Sequence, residues 1–225
     1  MAFHYSPKIV TDGLVLYLDA CNSKSFTTTS NTWFDISKSG YSGSLIGGAT
    51  FSSSNGGGIV FDGFDDILSI SDENILSSTG SGTIDFVYKI NSVPLTTYRN
   101  VWGFSNSLFQ YENNGGFMLF VWRYDDLTFD GVSTGISETD LNTYHITCTY
   151  TTTIGTSTFK VYKNGQLMGT KNVSKALITS NKSPFILAGN SHQNCNISNI
   201  KIYNRELSST EVLKNFNSTQ SRFGL

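Results

Sequence analysis

Gly57-Gly58-Ile59-Val60-Phe61-Asp62-Gly63-Phe64-Asp65-Asp66-Ile67-Leu68-Ser69-Ile70 decides the fold class of this 225-residue chain. Two short apolar runs, 59–61 and 67–70, flank five positions that hold three aspartates and one glycine. Gly tolerates positive φ and Asp hydrogen-bonds its own backbone, so the stretch reads as two strands joined by a tight corner. The same rhythm continues outward. Residues 13–19 are apolar almost throughout, which predicts an interior strand of a sheet, buried on both sides. In residues 83–90, Ile84, Phe86, Tyr88 and Ile90 share one face, with Thr83, Asp85 and Lys89 on the other. Further strands are expected at 100–105, 116–124, 144–151, 157–164, 183–189 and 197–203. Asn164-Gly165 between two of them suits the positive dihedrals of a type I′ hairpin turn.

One helix is expected, over 207–216. Ser208 is placed to cap it, Glu211 completes a capping box, and Val212, Leu213 and Phe216 form an apolar stripe. No composition shift, Pro-rich linker or repeat divides the chain. One domain of residues 13–218 is expected, with an N-terminal arm (1–12) and a C-terminal tail (219–225).

Composition narrows the function. Charged residues make up 14% of the chain, against about 25% in an average soluble domain. The net charge is −2, and lysines and arginines are scattered rather than run together. That excludes a surface built to neutralise phosphates, and no nucleic-acid partner is expected. Cys21, Cys148 and Cys195 are too widely spaced for a zinc ribbon or a disulfide framework and read as buried free thiols. Met1 to Lys8 has no apolar secretory core, and the run 14–18 is far too short to cross a bilayer, so no membrane partner is expected.

Several segments in order carry a resemblance. The Phe61-Asp62-Gly63 corner, Thr143-Tyr144-His145-Ile146-Thr147, Phe159-Lys160-Val161-Tyr162-Lys163-Asn164-Gly165, and the run from Ile197 to Ser208 resemble the laminin G-like, or concanavalin A-like, lectin/glucanase domains. The resemblance spans about residues 10–217 and implies an all-β jelly-roll sandwich of two antiparallel sheets with one short C-terminal helix. Tyr5 to Leu14, Leu18-Asp19-Ala20, Trp33 to Ser37 and the terminal Ser221-Arg222-Phe223-Gly224-Leu225 further resemble virion proteins of tailed bacteriophages. That narrower resemblance implies a capsid-decoration, head-fibre or tail-associated subunit. Such a protein is made in the host cytoplasm, present in multiple copies, and docked to other virion subunits through the arm or the tail.

The superfamily includes glucanases, whose retaining chemistry needs two carboxyl groups about 5–5.5 Å apart. The nearest match to their Glu-x-Asp-x-Glu strand, Glu138-Thr139-Asp140-Leu141-Asn142, lacks the third carboxylate. Asp72-Glu73 and Asp125-Asp126 are adjacent pairs that leave a strand on opposite faces. His4, His145 and His192 are far apart, and no enzyme is expected. Calcium takes six to eight oxygens, some of which Asp62, Asp65 and Asp66 could supply, although Asp also shapes turns without a metal. The acidic pair frequent in the family's closing strand is replaced by Ser198-Asn199, which weakens the calcium reading. For a host glycan, Tyr98, Arg99, Trp102, Trp122, Arg123 and Tyr124 offer aromatic faces and polar groups, with core packing as the rival use of the two tryptophans. The alternative to a virion subunit is a carbohydrate-binding module for a surface polysaccharide with no structural role.

Overall fold

The computed structural model describes residues 8–70, 75–76, 80–92, 99–104, 109–114, 116–124, 126, 128–153, 155–175, 185–187 and 193–225. Two antiparallel sheets face each other. In chain order the strands are β1 (Leu14–Asp19), β2 (Thr32–Trp33), β3 (Gly43–Ile46), β4 (Thr50–Ser52), β5 (Gly58–Phe61), β6 (Ile67–Ile70), β7 (Ser81–Ile90) and β8 (Arg99–Phe104). They continue with β9 (Phe109–Asn114), β10 (Phe117–Arg123), β11 (Phe129–Ser137), β12 (Thr143–Thr153), β13 (Thr156–Lys163), β14 (Gln166–Val173), β15 (Phe185–Leu187) and β16 (Cys195–Tyr203), and the helix α1 (Ser209–Phe223) closes the chain. One sheet runs β14-β13-β12-β7-β16-β5-β4, with β1 also pairing β16; the other runs β11-β10-β9-β8-β15-β6-β3-β2. The expected jelly-roll sandwich is the fold observed.

The Asp62–Asp66 corner does more than turn the chain. β5 belongs to the first sheet and β6 to the second, so the corner carries the chain across the sandwich. The backbone N–H of Asp62 donates to Asp66 Oδ2 at 2.9 Å and that of Phe64 donates to Asp62 Oδ1 at 2.7 Å. Gly63 has φ +83°, and a Cβ there would lie 2.9 Å from the Asn194 backbone nitrogen. These residue types are what such a crossing needs.

Alternation places the core. Ile84, Phe86, Tyr88 and Ile90 of β7 are buried against Trp102, Tyr111, Phe120 and Trp122 of the facing sheet. Asn164 (φ +49°) and Gly165 (φ +78°) make the β13–β14 turn with Lys163 opposite Gln166, as expected. β1 departs from its expectation. Among the described residues it pairs with β16 alone, and its other edge is met by the loop after β2, where Ile36 N donates to Tyr17 O at 2.9 Å. An apolar run reports burial, not the number of strand partners.

The helix is capped at Ser208 as expected, and its first turn begins at Ser209 instead of at residue 207. Ser208 Oγ accepts from Glu211 N at 3.3 Å, and Glu211 Oε2 accepts from Ser208 N at 3.0 Å. It then continues to Phe223 and is capped by Gly224 in the left-handed region, so residues 219–223 form its last turn instead of a tail. Its buried stripe is Val212, Asn215, Thr219 and Phe223, while Leu213 is exposed. Half of that stripe is polar because it lies on a polar patch of the sheet. Residues 8–12 also belong to the folded unit: Val10 is buried with Tyr162, Tyr203, Leu207 and Val212. Residues 1–7 of the expected arm lie outside the described residues.

Candidate functional site

Aromatic and charged side chains converge at the end of the sandwich where β10 passes into β11. Arg123, the last residue of β10, stands opposite Phe129, the first of β11. Both side chains project away from the core, and the guanidinium carbon lies 5.8 Å from the centroid of the Phe129 ring, which is 54% exposed. Lys175, two residues past β14, reaches across to the same corner. Its Nζ is 3.0 Å from Asp126 Oδ2, donates to Thr128 Oγ1 at 3.2 Å and sits 5.0 Å from the Tyr124 ring centroid. The hydrogen bond from Thr128, and then that from Lys175, hold the Asp126 carboxyl down to about 2. Lys171 pairs with Asp130 on the flank. Arg123 has no carboxylate partner among the described residues, and its Nε is enclosed without an acceptor there.

The sequence candidates divide at this corner. Arg123 faces outward. Trp122 faces inward, fully buried, with its ring 3.7 Å from that of Phe159 at an interplanar angle of 6°. Its Nε1 donates to Tyr124 Oη at 3.1 Å, and Tyr124 is itself buried. Trp102 is fully buried too, edge-on to Phe86 and stacked on Tyr111. Both indoles therefore leave the sugar-stacking set, because strand parity sends them to the core face. Arg99 begins β8, but its side chain is outside the described residues, as is all of Tyr98. Sequence reasoning missed Phe129 and Lys175. Phe129 sits in a run, Thr128 to Val132, with no clear alternation, and Lys175 comes near only through the sheet order.

Asp62, Asp65 and Asp66 each bring a carboxylate oxygen within 4.8 Å of the others. Asp62 and Asp65 are exposed and Asp66 is buried. One oxygen of Asp62 and one of Asp66 already accept backbone N–H groups of the turn. A calcium ion here would need backbone carbonyls and water to complete its shell.

A second polar constellation lies under α1, on the outward face of the first sheet. Asp85 on β7, Thr147 on β12 and Lys201 on β16 occupy one row of the ladder. Asp85 Oδ1 is 2.8 Å from Lys201 Nζ, and its Oδ2 is 3.1 Å from His145 Nε2. Thr147 Oγ1 and Asn215 Nδ2 donate to the same Oδ2 at 3.0 and 3.3 Å. Burial by itself would raise the Asp85 carboxyl, but the His145 and Lys201 partners outweigh it and hold it far below the usual carboxylate range. Asn215 Nδ2 also donates to Tyr203 Oη, Tyr203 Oη donates to Val10 O, and Val10 N donates to Asn215 Oδ1. His145, Asp85 and Lys201 are all fully buried, so this cluster fastens the helix and residue 10 to the sheet. Arg222 at the far end of α1 adds a bidentate pair to Asp19 at 2.8 Å. Of the cysteines, Cys148 and Cys195 are buried as expected, whereas Cys21 is exposed and donates to Gly56 O.

Residues 61–213 match the sequence profile described as the concanavalin A-like lectin/glucanases superfamily. The chain belongs to that superfamily. No curated protein matches it. Solved structures similar to this lectin/glucanase-type chain include the binding domain of Paraclostridial Mosquitocidal Protein 1, with TM-score 0.74 and 19% identity, covering 92% of this chain and 52% of that one. The binding domain of botulinum neurotoxin DC in complex with SialylT has TM-score 0.72 and 17% identity, covering 93% and 52%. A structure of botulinum neurotoxin type C, whose cell entry depends on interaction with two ganglioside molecules, has TM-score 0.66 and 17% identity, covering 92% and 51%. The chain thus spans about half the length of these neighbours, and the likeness is one of fold. Four carboxylates of this lectin/glucanase-type sandwich serve its structure: Asp85 and Asp19 hold α1, and Glu206 and Glu211 bind Lys160 and Arg205.

Proposed function

We propose that this protein is a non-catalytic recognition module that binds carbohydrate at the β10–β11 corner. The observation that carries the reading is the Arg123 guanidinium set over the exposed ring of Phe129. A sugar presents a patch of C–H groups that suits an aromatic face and hydroxyls that suit a planar fork of donors. Asp126, Thr128 and Lys175 beside it form an ordered polar rim. The superfamily membership supports a lectin-type use of the fold. So do the fold neighbours, one in complex with SialylT and one whose cell entry depends on two ganglioside molecules, although those chains are about twice as long.

The narrower reading places this module on a bacteriophage particle, made in the host cytoplasm and carried in multiple copies beside other virion subunits. It is supported by the terminal motifs Tyr5 to Leu14 and Ser221 to Leu225. Mass spectrometry of purified particles tests the location. A glycan array with the whole chain tests the binding. Arg123→Ala and Phe129→Ala should each lose array binding while the thermal midpoint holds, and silence across a broad array would remove the carbohydrate reading.

A further inference from the structure

The same corner also indicates which class of sugar it takes; this step rests on the carbohydrate reading above. Arginines 123, 205 and 222 have described side chains. Arg205 binds Glu211 through Nη1 and Nη2 at 3.0 and 2.6 Å, and also meets Asp12. Arg222 grips Asp19 with two bonds of 2.8 Å. Arg123 alone of the three has no carboxylate among the described residues. The neighbouring acids are already engaged: Asp126 by Lys175 and Thr128, Asp130 by Lys171. Asp125, two positions along the chain, lies outside the described residues.

A guanidinium is weakly hydrated, planar and always charged, and two parallel N–H groups match the two oxygens of a carboxylate. Here it is steadied over an aromatic ring at the rim of the sandwich. We infer that the preferred ligand is a carboxylated sugar, a uronic or sialic-type acid residue in a surface polysaccharide. Its carboxylate engages the Arg123 fork, and the apolar side of its ring lies on the exposed part of Phe129. Asp126, fixed by Lys175 and Thr128, is then available to accept sugar hydroxyls without competing for Arg123.

The test is direct binding of the whole chain to polygalacturonate, alginate and polysialic acid. Their carboxyl-reduced derivatives, dextran and dextran sulfate serve as the other arms. Carboxylated chains should bind, and reduction of the carboxyl groups should weaken binding by about tenfold or more, the loss of a charge-assisted bidentate contact. Arg123→Gln should erase the difference between native and reduced chains, and Arg123→Lys should restore part of it, with near-ultraviolet circular dichroism reporting the fold of each variant. Equal affinity for native and reduced chains would leave the carbohydrate reading standing and overturn the acidic one. Equal affinity for dextran sulfate would also overturn it, since charge alone would then be recognised. Binding to none of the probes would overturn both.

Discussion

Trp122 and Arg123 are neighbours in the chain and opposites in role. Trp122 stacks in the core, so Trp122→Ala should cost about 3–5 kcal/mol in a urea titration, whereas Arg123→Ala should stay within about 0.5 kcal/mol. Equal losses would mean that Arg123 is a packing residue. The difference was legible from parity, because Met118, Phe120 and Trp122 alternate with Leu119, Val121 and Arg123. What parity does not reveal is which outward face is covered. Asp85 falls on the outward face of β7 in the alternation, yet it is fully buried, because α1 lies over it. The available hint was an Asp and a Lys in central strands of a chain so poor in charge. Removing one member of a buried pair strands the other, so Asp85→Asn should cost about 3–5 kcal/mol. Replacing Asp85 with Leu and Lys201 with Met together should cost less than the two single changes summed, as measured in a double-mutant cycle. At the Asp62–Asp65–Asp66 corner, a turn-shaping role predicts equal thermal midpoints in calcium and in chelator; a rise with calcium would establish the metal there.

Among the elements, the β5–β6 corner and the capped start of α1 were legible because local chemistry alone builds them. A Gly-rich acidic turn and a Ser-x-x-Glu box need no distant partner to be recognised. The end of α1 was not, since Asn215, Thr219 and Arg222 look like surface residues until the sheet beneath them is known to be polar. The same contacts revise the expectation for the chain's start. Deleting 1–12 removes Val10, which donates to Asn215 and accepts from Tyr203, together with Asp12 beside Arg205. This deletion should therefore lower the thermal midpoint and expose α1 to limited proteolysis. An unaltered midpoint would show that residues 8–12 are passengers.

For the whole molecule, the buried and paired groups define a pH window. Asp85, Asp19, Glu206 and Glu211 all have carboxyls held below their ordinary values, Glu211 at about 2 chiefly through Arg205. A depressed folded-state value means that the unfolded chain takes up protons first. The stabilisation is complete above the unfolded values of about 4 and is lost as the pH falls below them. Tyr17, Tyr88 and Tyr203 behave in the opposite sense, since burial raises each phenol and stability falls once the unfolded tyrosines ionise above about pH 10. Burial likewise raises the Cys148 and Cys195 thiols, whose unfolded counterparts ionise from about pH 8.5, so stability should be level only between about pH 5 and about pH 8. On the acid side, Asp85, Asp19 and Glu211 all tie α1 or its entry to the sandwich, while the inward face of the sheets is apolar and aromatic. The helix should be the first element to loosen. Hydrogen exchange pulsed at pH 3 should label the amides of residues 209–223 before those of β7 and β12; simultaneous labelling would mean that the helix and sandwich unfold as one unit and that the buried carboxylate cluster does not set the order.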